Sequence, residues 1–375
     1  MTQENPQLVD NTQNQSSELM SCSELNDLVA KRLKQYKGAF ADNTNVAVRS
    51  DYNMYQIWCD SNNLRPLPLD KNTVVAFLED MSTTEKTDNR TKLAIKKAQD
   101  SGLPYPGREI THRSPATLGR YLASLKLIHD ISLSVMQELT TDISLEYKNP
   151  IETQEVKLTM RRIRRENRGR AQKQADPIGF STLEKIISNL DDESIRHTQY
   201  KALISVAFDT LLRRSELVLI TVSDLSINEN GSGTVFLHWH KTDQEGKGSY
   251  RYISENTVNY IKGWLEQSGI NSGRLFRSFL KNDVIHKQMP PRRVAEVFKE
   301  IAAESGIPYE HISGHSTRVG AAQELLGEGS SIAELMLAGG WKSEVMPVQY
   351  GSKIASERGA MAKFYSNKIE EKTAK

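Results

Sequence analysis

Cysteine is scarce in this sequence, which contains only Cys22 and Cys59 among 375 residues. Two cysteines so far apart are too few for a disulfide framework or a cysteine-rich zinc site. The sequence also has no secretory hydrophobic segment and no apolar run of the roughly 20 residues that a membrane-spanning helix needs. We therefore expect a soluble intracellular protein that has no membrane partner.

A large net charge is missing as well, because 49 Lys and Arg residues nearly balance 47 Asp and Glu residues and leave +2 at pH 7. The charge is unevenly distributed, however. Residues 157–173 carry eight basic residues and one acid, whereas residues 1–30 carry five acids and neither Lys nor Arg. A basic block inside a balanced chain indicates a surface that binds a polyanion. A solvated helix face would give the same pattern.

The length of the chain allows two domains, each with its own core. Residues 1–20 are rich in Gln, Asn and Ser and predict a disordered tail. Helical periodicity over 21–168 predicts a first domain, interrupted at about 83–113 by a polar segment that is an insertion or a long loop. Gly169, its polar neighbours and Pro177 predict a linker over 169–177, followed by a second domain at 178–375.

The second domain is again mostly helical in its pattern, including a continuous helical region over 199–220. Two β-like runs, "GTVFLHWHK" and "SYRYIS", are joined by a turn rich in Gly, Asp and Gln. The predicted fold class is therefore mainly α with two domains. The second domain should contain a small antiparallel β-sheet.

The stretch "ISGHSTRVGAAQELL" at 312–326 predicts a helix with two cationic or potentially cationic residues, His315 and Arg318, in its first turn. The helix dipole disfavours cations at that end. A negatively charged ligand between these side chains would explain the arrangement, because a helix N-terminus is itself favourable for an anion.

Other candidates are scattered through the second half, and each alone has an ordinary structural explanation. Arg213 and Glu216 are three residues apart and could be a helix ion pair. Lys241 ends a strand and could be merely solvated, and Trp341 and Tyr350 could be core residues. His238 and His240 share a strand face, but no third zinc ligand lies near them in the sequence.

Together the candidates fit phosphoryl transfer to a tyrosine. Arginines can grip two phosphate oxygens and neutralise the charge that builds up during in-line attack. Tyr350 would be the nucleophile, His315 would take its proton, and Lys241 would protonate the leaving oxygen. The reaction would need no metal and no other cofactor.

Four segments resemble the signature of the tyrosine (phage-integrase-type) site-specific recombinases, and most of all the Cre-like branch. The signature is Arg, Lys, His-x-x-Arg, His or Trp, and Tyr, in that order. The matching segments are "DTLLRRSEL", "HKT", "GHSTRVGAA" and "AGGWKSEVMPVQY". The segment "SERGAMAKF", together with "VKLTMRRIRREN" and "YQIWCDSNNLRPLP" in the first half, extends the resemblance to roughly 40–366.

The resemblance implies a role for each matched residue. Arg213 and Arg318 would clamp the phosphate, with Glu216 in support, and His315 would be the acid/base partner. Lys241 would be the general acid, and Trp341 would donate its indole N–H to a phosphate oxygen. Tyr350 would form a 3′-phosphotyrosine, which conserves the energy of the cut bond.

The resemblance also implies that duplex DNA is the partner, held in a C-shaped clamp by a helical core-binding domain and a catalytic domain. The expected target is a lox-like inverted repeat, and a homotetramer on two sites would carry out integration, excision or inversion. Without DNA a monomer or weak dimer is expected, in bacterial cytoplasm near the nucleoid. A C-terminal exchange helix at about 357–367 would dock on a neighbour. Candidate DNA contacts are all arginines: Arg49, Arg120, Arg161, Arg162, Arg164, Arg165, Arg292 and Arg293.

Two residues depart from the family pattern. Arg214 adds a charge beside Arg213, and Pro347 requires its helix to begin near Ser343, so that proline falls in the first turn. Two other classes share the chemistry or the fold. A type IB topoisomerase or telomere resolvase would cleave without exchanging strands, and a catalytically silent DNA-binding protein would not cleave.

Overall fold

The computed structural model describes residues 22–36, 38–83, 113–139, 149–167, 174–238, 247–359, 361–362 and 364–365. Several predictions fall outside these residues: the tail at 1–20, residues 84–112 of the insertion, residues 169–173 of the linker, and Lys241. The chain divides into two compact units, residues 1–172 and 173–375.

The described part of the first unit is helical. Its helices are α1 (Cys22–Gln35), α2 (Asp42–Ser61), α3 (Lys71–Ser82), α4 (Pro115–Leu139) and α5 (Gln154–Glu166), with a 3-10 turn at Pro150–Glu152. The long helix α4 packs against α1 and α2, and α3 packs against α5. At the centre, the ring of Phe77 contacts the rings of Tyr55, Trp58 and Tyr121. Apolar residues at helical spacing therefore meet in one core.

The second unit combines helices with a small sheet. Its helices are α6 (Phe180–Asn189), α7 (Ile195–Thr210), α8 (Arg214–Leu217), α9 (Glu255–Ser268), α10 (Pro291–Glu304), α11 (Ser316–Gly327), α12 (Ile332–Gly339) and α13 (Val345–Arg358). Helix α7 is buried on nearly every side, with α9 and α11 packed against it. This arrangement confirms the predicted fold class.

The sheet is antiparallel, in the order β1 (Leu225–Ile227), β2 (Gly233–Leu237) and β3 (Ser249–Ile253). Strands β2 and β3 correspond to the two predicted runs, whereas β1 is too short to give an alternating pattern. Val235 pairs with Arg251 across the inner face, and Phe236 pairs with Tyr250 across the outer face. The inner face is buried against α7, so the position of Arg251 is unusual for a charged side chain.

The prediction of one helical region over 199–220 was wrong. Helix α7 ends at Thr210, and the next residue, Leu211, adopts a left-handed conformation with φ 51° and ψ 27°. The carbonyl oxygen of Leu211 accepts a hydrogen bond from the guanidinium of Arg318, more than 100 residues away in the chain. A long-range contact therefore stabilises the break, and α8 starts again after Arg213.

Helix α11 is fixed by a close backbone approach. The amide of Ile178 donates to the carbonyl oxygen of Ser316 at 3.0 Å. A Cβ added to Gly320 would lie 1.9 Å from the carbonyl oxygen of Ile178, so only glycine fits there. This contact holds the helix that begins with His315 and Arg318. Among the described helices, none is both long enough and apolar enough to cross a membrane.

Candidate active site

Arg213 and Glu216 form a partly buried ion pair at the start of α8. The amide of Arg213 donates to Glu216 Oε2 at 3.0 Å, and Arg213 Nη1 donates to Oε1 at 2.8 Å. The Glu216 side chain is only 3% exposed, whereas that of Arg213 is 22% exposed. The buried carboxylate of Glu216 therefore fixes the guanidinium of Arg213, and part of the Arg213 side chain stays open to solvent.

Arg318 is almost completely buried, with 2% of the residue exposed. Its Nη1 donates to the carbonyl oxygen of Leu211, but its Nη2 has no hydrogen-bond partner among the described residues. Burial, followed by repulsion from Arg213, lowers the pKa of Arg318 to about 10. A buried cation with an unused donor is costly unless an anion completes its hydrogen bonds.

His315 is the N-cap residue of α11 and remains exposed. Although the residue is open to solvent, crowding around its ring lowers its pKa through desolvation, and the charges of Arg318, Arg214 and Arg213 lower it further. The imidazole is therefore neutral near pH 7 and can accept a proton. The predicted helix is confirmed, with His315 as its N-cap and Arg318 in its first turn.

Tyr350 lies on α13 and is 8% exposed. Its ring centroid is 6.0 Å from that of Trp341, with the rings inclined at 68°. The amide of the Gln323 side chain donates to the backbone oxygen of Tyr350 at 3.2 Å, which ties α13 to α11. Helix α13 begins at Val345, so Pro347 falls in the first turn as the sequence requires.

Trp341 connects Arg318 with Tyr350. The guanidinium carbon of Arg318 lies 3.8 Å from the Trp341 ring centroid, a cation–π contact in a desolvated setting. Gly339 leaves room for this ring, because a Cβ there would lie 1.9 Å from an atom of it. The ring of Trp341 therefore lies in contact with both the Arg318 guanidinium and the Tyr350 ring.

Lys241 lies outside the described residues, and so does His240. His238 is described, and its Nε2 lies 2.8 Å from Asp224 Oδ1. Burial raises the pKa of Asp224, but hydrogen bonds from Thr221 and His238 outweigh this effect and hold the pKa below its usual range. In the ranges that the structure describes, no group of three or more His, Cys, Asp or Glu side chains could hold a metal ion.

The sequence did not single out Arg251, which is 8% exposed on the inner face of β3. Burial lowers its pKa; the charge of Glu216 raises that pKa and the charge of Arg213 lowers it. The period-2 alternation of a strand could have revealed that Arg251 is buried. Its neighbours Tyr250 and Tyr252 face outward, so Arg251 faces inward.

The predicted DNA contacts on the first unit are largely exposed. On α5, all four arginines are exposed, and Arg162 pairs with Glu79. Arg49 is exposed on α2. Arg120 on α4 is 48% exposed and donates to the buried carboxylate of Asp51 at 2.5 Å. These six arginines are therefore exposed basic side chains on three helices of the unit.

The two predicted contacts at the start of α10 differ from each other. The Arg292 side chain is 88% exposed and pairs with Glu296 at 2.8 Å. Arg293 is partly buried and binds Glu300 at 2.5 Å and the hydroxyl of Tyr200 at 2.9 Å. The hydrogen bond to Glu300 is the main reason that the pKa of Arg293 is raised. Arg292 is therefore the more accessible of the pair.

One half of the second unit thus gathers Arg213, Glu216, His315, Arg318, Trp341 and Tyr350. Arg213 pairs with Glu216, and the charge of Glu216 raises the pKa of both Arg251 and Arg318. Three arginines therefore share one carboxylate, and the cluster carries an excess of positive charge. A tyrosine beside an anion site of this kind suits attack on a phosphodiester.

Residues 178–356, all within the second unit, match the phage integrase family, which is the family of the tyrosine recombinases. The recombinase Cre of Escherichia phage P1 is 27% identical, over 80% of this chain and 96% of Cre. A homologue of the integrase/recombinase XerD from Selenomonas ruminantium is 25% identical, over 85% of this chain and 83% of the homologue.

Solved structures of low sequence identity share the fold. The XerH site-specific recombinase, bound to a palindromic difH substrate, has a TM-score of 0.55 at 14% identity, covering 92% of this chain and 98% of that one. The Tn1549 transposon integrase, in complex with transposon right end DNA, has a TM-score of 0.52 at 15% identity, covering 90% and 99%.

Proposed function

We propose that this chain is a site-specific recombinase that cuts and rejoins duplex DNA through a covalent 3′-phosphotyrosine on Tyr350. Members of the tyrosine recombinase family are DNA strand transferases. The observation that carries the proposal is the buried Nη2 of Arg318, which has no partner among the described residues. Its guanidinium stacks on Trp341, whose ring also contacts that of Tyr350. A scissile phosphate supplies the missing acceptor.

The reaction is a transesterification in two matching halves. Tyr350 Oη attacks phosphorus and its proton passes to His315, while the bond from phosphorus to the 5′-oxygen breaks. That oxygen keeps the electron pair and takes a proton from Lys241. The 5′-hydroxyl of a partner strand then attacks the phosphotyrosine, and the proton transfers run in reverse.

Catalysis comes from charge and position. Arg213 and Arg318 bind the two non-bridging oxygens, and Trp341 donates its indole N–H to one of them. Glu216 keeps Arg213 in place. Because fixed guanidinium charges neutralise the phosphate, and the phosphotyrosine keeps the bond energy, the proposed reaction uses neither a metal ion nor ATP.

The two units have separate roles in this proposal. The first is a core-binding domain, whose α5 arginines hold phosphates and whose Arg49 and Arg120 face the major groove. The second is the catalytic domain, where Arg292 and Arg293 add contacts at the start of α10. Exposed apolar residues near the C-terminus, Met361 and Phe364, suit a helix that docks on a neighbouring subunit.

The proposed target is a lox-like inverted repeat, and the proposed active assembly is a tetramer on two such sites. The target can be found by selecting recombining sequences from a randomised inverted-repeat library. A nicked suicide substrate built on that target should then trap a covalent protein–DNA adduct. Tyr350→Phe should abolish the adduct, whereas the matched change at an exposed tyrosine, Tyr309→Phe, should leave it unchanged.

The same assay separates the alternatives. A catalytically silent DNA-binding protein would form no adduct, either as wild type or as Tyr309→Phe. A topoisomerase or telomere resolvase would form the adduct but relax or reseal DNA without exchanging strands between two sites. Exchange of flanking sequence between two marked DNA molecules is the result that the proposal requires.

A further inference from the structure

Arg251 is a charged residue in a place where the fold would accept an apolar one. Its partner across the sheet is Val235, and its neighbours on the inner face of the hairpin are Leu237 and Ile253, all buried. Its Nη1 donates to the carbonyl oxygen of Tyr250 at 2.9 Å, but its buried Nε has no hydrogen-bond partner among the described residues. A buried cation with an unpaired donor costs stability.

The guanidinium of Arg251 packs against the turn at Gly340, the residue before Trp341. Gly340 has φ 65°, and a Cβ added there would lie 2.3 Å from Arg251 Nη2. The next residue, Trp341, carries the ring on which Arg318 stacks. Arg251 therefore supports the backbone from which this ring projects.

Arg251 also belongs to the charge cluster of the site. Its charge lowers the pKa of Arg318, and the charges of Glu216 and Arg213 act on its own pKa. A methionine or leucine would fill the same space without desolvating a cation. The position costs stability, so the benefit of arginine must lie elsewhere.

We propose that Arg251 is a positioning residue of the recombinase site, which holds the Gly340–Trp341 turn so that Trp341 stays against Arg318 and Tyr350. It also raises the positive charge that receives the scissile phosphate. It acts through Trp341 and Arg318 and does not itself touch the DNA. This inference rests on the proposed function, because it concerns the rate of the same cleavage step.

The test compares Arg251→Met with Arg251→Lys in the full-length protein. On the suicide substrate, Arg251→Met should slow adduct formation at least tenfold, while its DNA affinity stays within twofold of wild type. Arg251→Lys keeps the charge but lacks the several N–H donors of a planar guanidinium, so its rate of adduct formation should be intermediate. Arg196→Met removes an arginine that pairs with Asp283 elsewhere in the unit, and it should cleave at the wild-type rate.

Stability and spectroscopy separate positioning from a merely structural role. Arg251→Met should melt at or above the wild-type temperature, because it removes a desolvated charge. With 5-fluorotryptophan incorporated, the 19F resonance of Trp341, assigned through Trp341→Phe, should shift or broaden in Arg251→Met. The resonance of Trp264, which is buried in the core, should not move.

Three outcomes would overturn the inference. One is cleavage by Arg251→Met within twofold of wild type. Another is an unchanged Trp341 resonance. The third is a lower melting temperature with every tryptophan resonance displaced, which would mean that Arg251 only supports the fold. If Arg251→Met does not fold, the rate and Trp341 resonance of Arg251→Lys decide. Failure of the wild type to form any adduct would instead overturn the proposed function.

Discussion

The guanidinium of Arg318 stacks on the indole of Trp341, with its central carbon 3.8 Å from the ring centroid. One face of a buried cation is thereby covered by an aromatic ring, and its Nη1 is held by the backbone of Leu211. Its buried Nη2 has no hydrogen-bond partner among the described residues and is available to a ligand. The ring thus directs the guanidinium as well as shielding it.

Replacing Trp341 should separate packing from hydrogen bonding. Trp341→Phe keeps an aromatic face for Arg318 but loses the indole N–H, so cleavage should slow about tenfold, the equivalent of roughly 1.4 kcal/mol. Trp341→Ala also removes the packing of a buried ring, which costs about 3–5 kcal/mol of stability. Single-turnover cleavage and denaturant unfolding measure the two effects. Equal rates for Trp341→Phe and wild type would exclude the indole N–H from the reaction.

Removing the Glu216 charge should disturb Arg213 more than the fold around it. Glu216→Gln preserves the shape of the side chain but weakens two charge-assisted hydrogen bonds in a buried place, at a cost of about 1–3 kcal/mol. Cleavage should fall while DNA binding persists, because the fixed position of Arg213 is lost. The exposed Glu229→Gln serves as the matched control. A variant as active as wild type would show that Glu216 does not orient the clamp.

Much of the fold could be predicted because it follows from local pattern. The apolar stripe of α2, the proline in the first turn of α4, and the alternation in β2 and β3 are all visible in short windows. The order of the Arg, His-x-x-Arg, Trp and Tyr segments likewise indicated which residues belong together. The structure places these residues in one unit.

The remaining features depend on contacts that are distant in sequence. Arg318 binds the carbonyl oxygen of Leu211, the left-handed residue after α7, and no window around "AFDTLLRRSEL" contains that partner. Arg251 is buried because β3 packs against α7. The alternating pattern of β3 can suggest that Arg251 faces inward, but it cannot establish which element covers that face. Propensity alone favours continuing the helix through "TLLRRSEL", and tertiary structure overrides it.

The lowered pKa of His315 predicts a pH dependence of stability. The unfolded histidine takes up a proton near its ordinary pKa of 6.5, whereas the folded one resists protonation until lower pH. Stability should therefore be unaffected by this group above about pH 6.5 and should decline as pH falls below it. Melting temperatures of wild type and His315→Gln, compared from pH 8 to pH 5, should diverge only on the acidic side. A wild type that gains stability there would contradict the lowered pKa.

The four arginines on α5 should bind DNA through phosphates. Each single alanine variant at Arg161, Arg162, Arg164 or Arg165 should reduce the slope of log affinity against log salt by about 0.9, if each neutralises one phosphate. The loss should be similar on target and non-target DNA, because phosphates carry no sequence information. Arg196→Ala is the matched control on the other unit. An unchanged salt slope would show that these arginines form a solvated helix face that does not bind DNA.

Truncating the exposed apolar side chains near the C-terminus should block assembly before it affects the single active site. Met361 and Phe364 are 65% and 51% exposed, and burying both in a neighbour would contribute several kcal/mol. The double variant Met361→Ala/Phe364→Ala should still bind one target site with wild-type affinity. It should fail to form the synaptic tetramer on two sites, as measured by sedimentation of protein–DNA complexes. Ile227→Ala, at an exposed apolar residue of β1, should assemble normally, and a double variant that also assembled normally would place the subunit contact elsewhere.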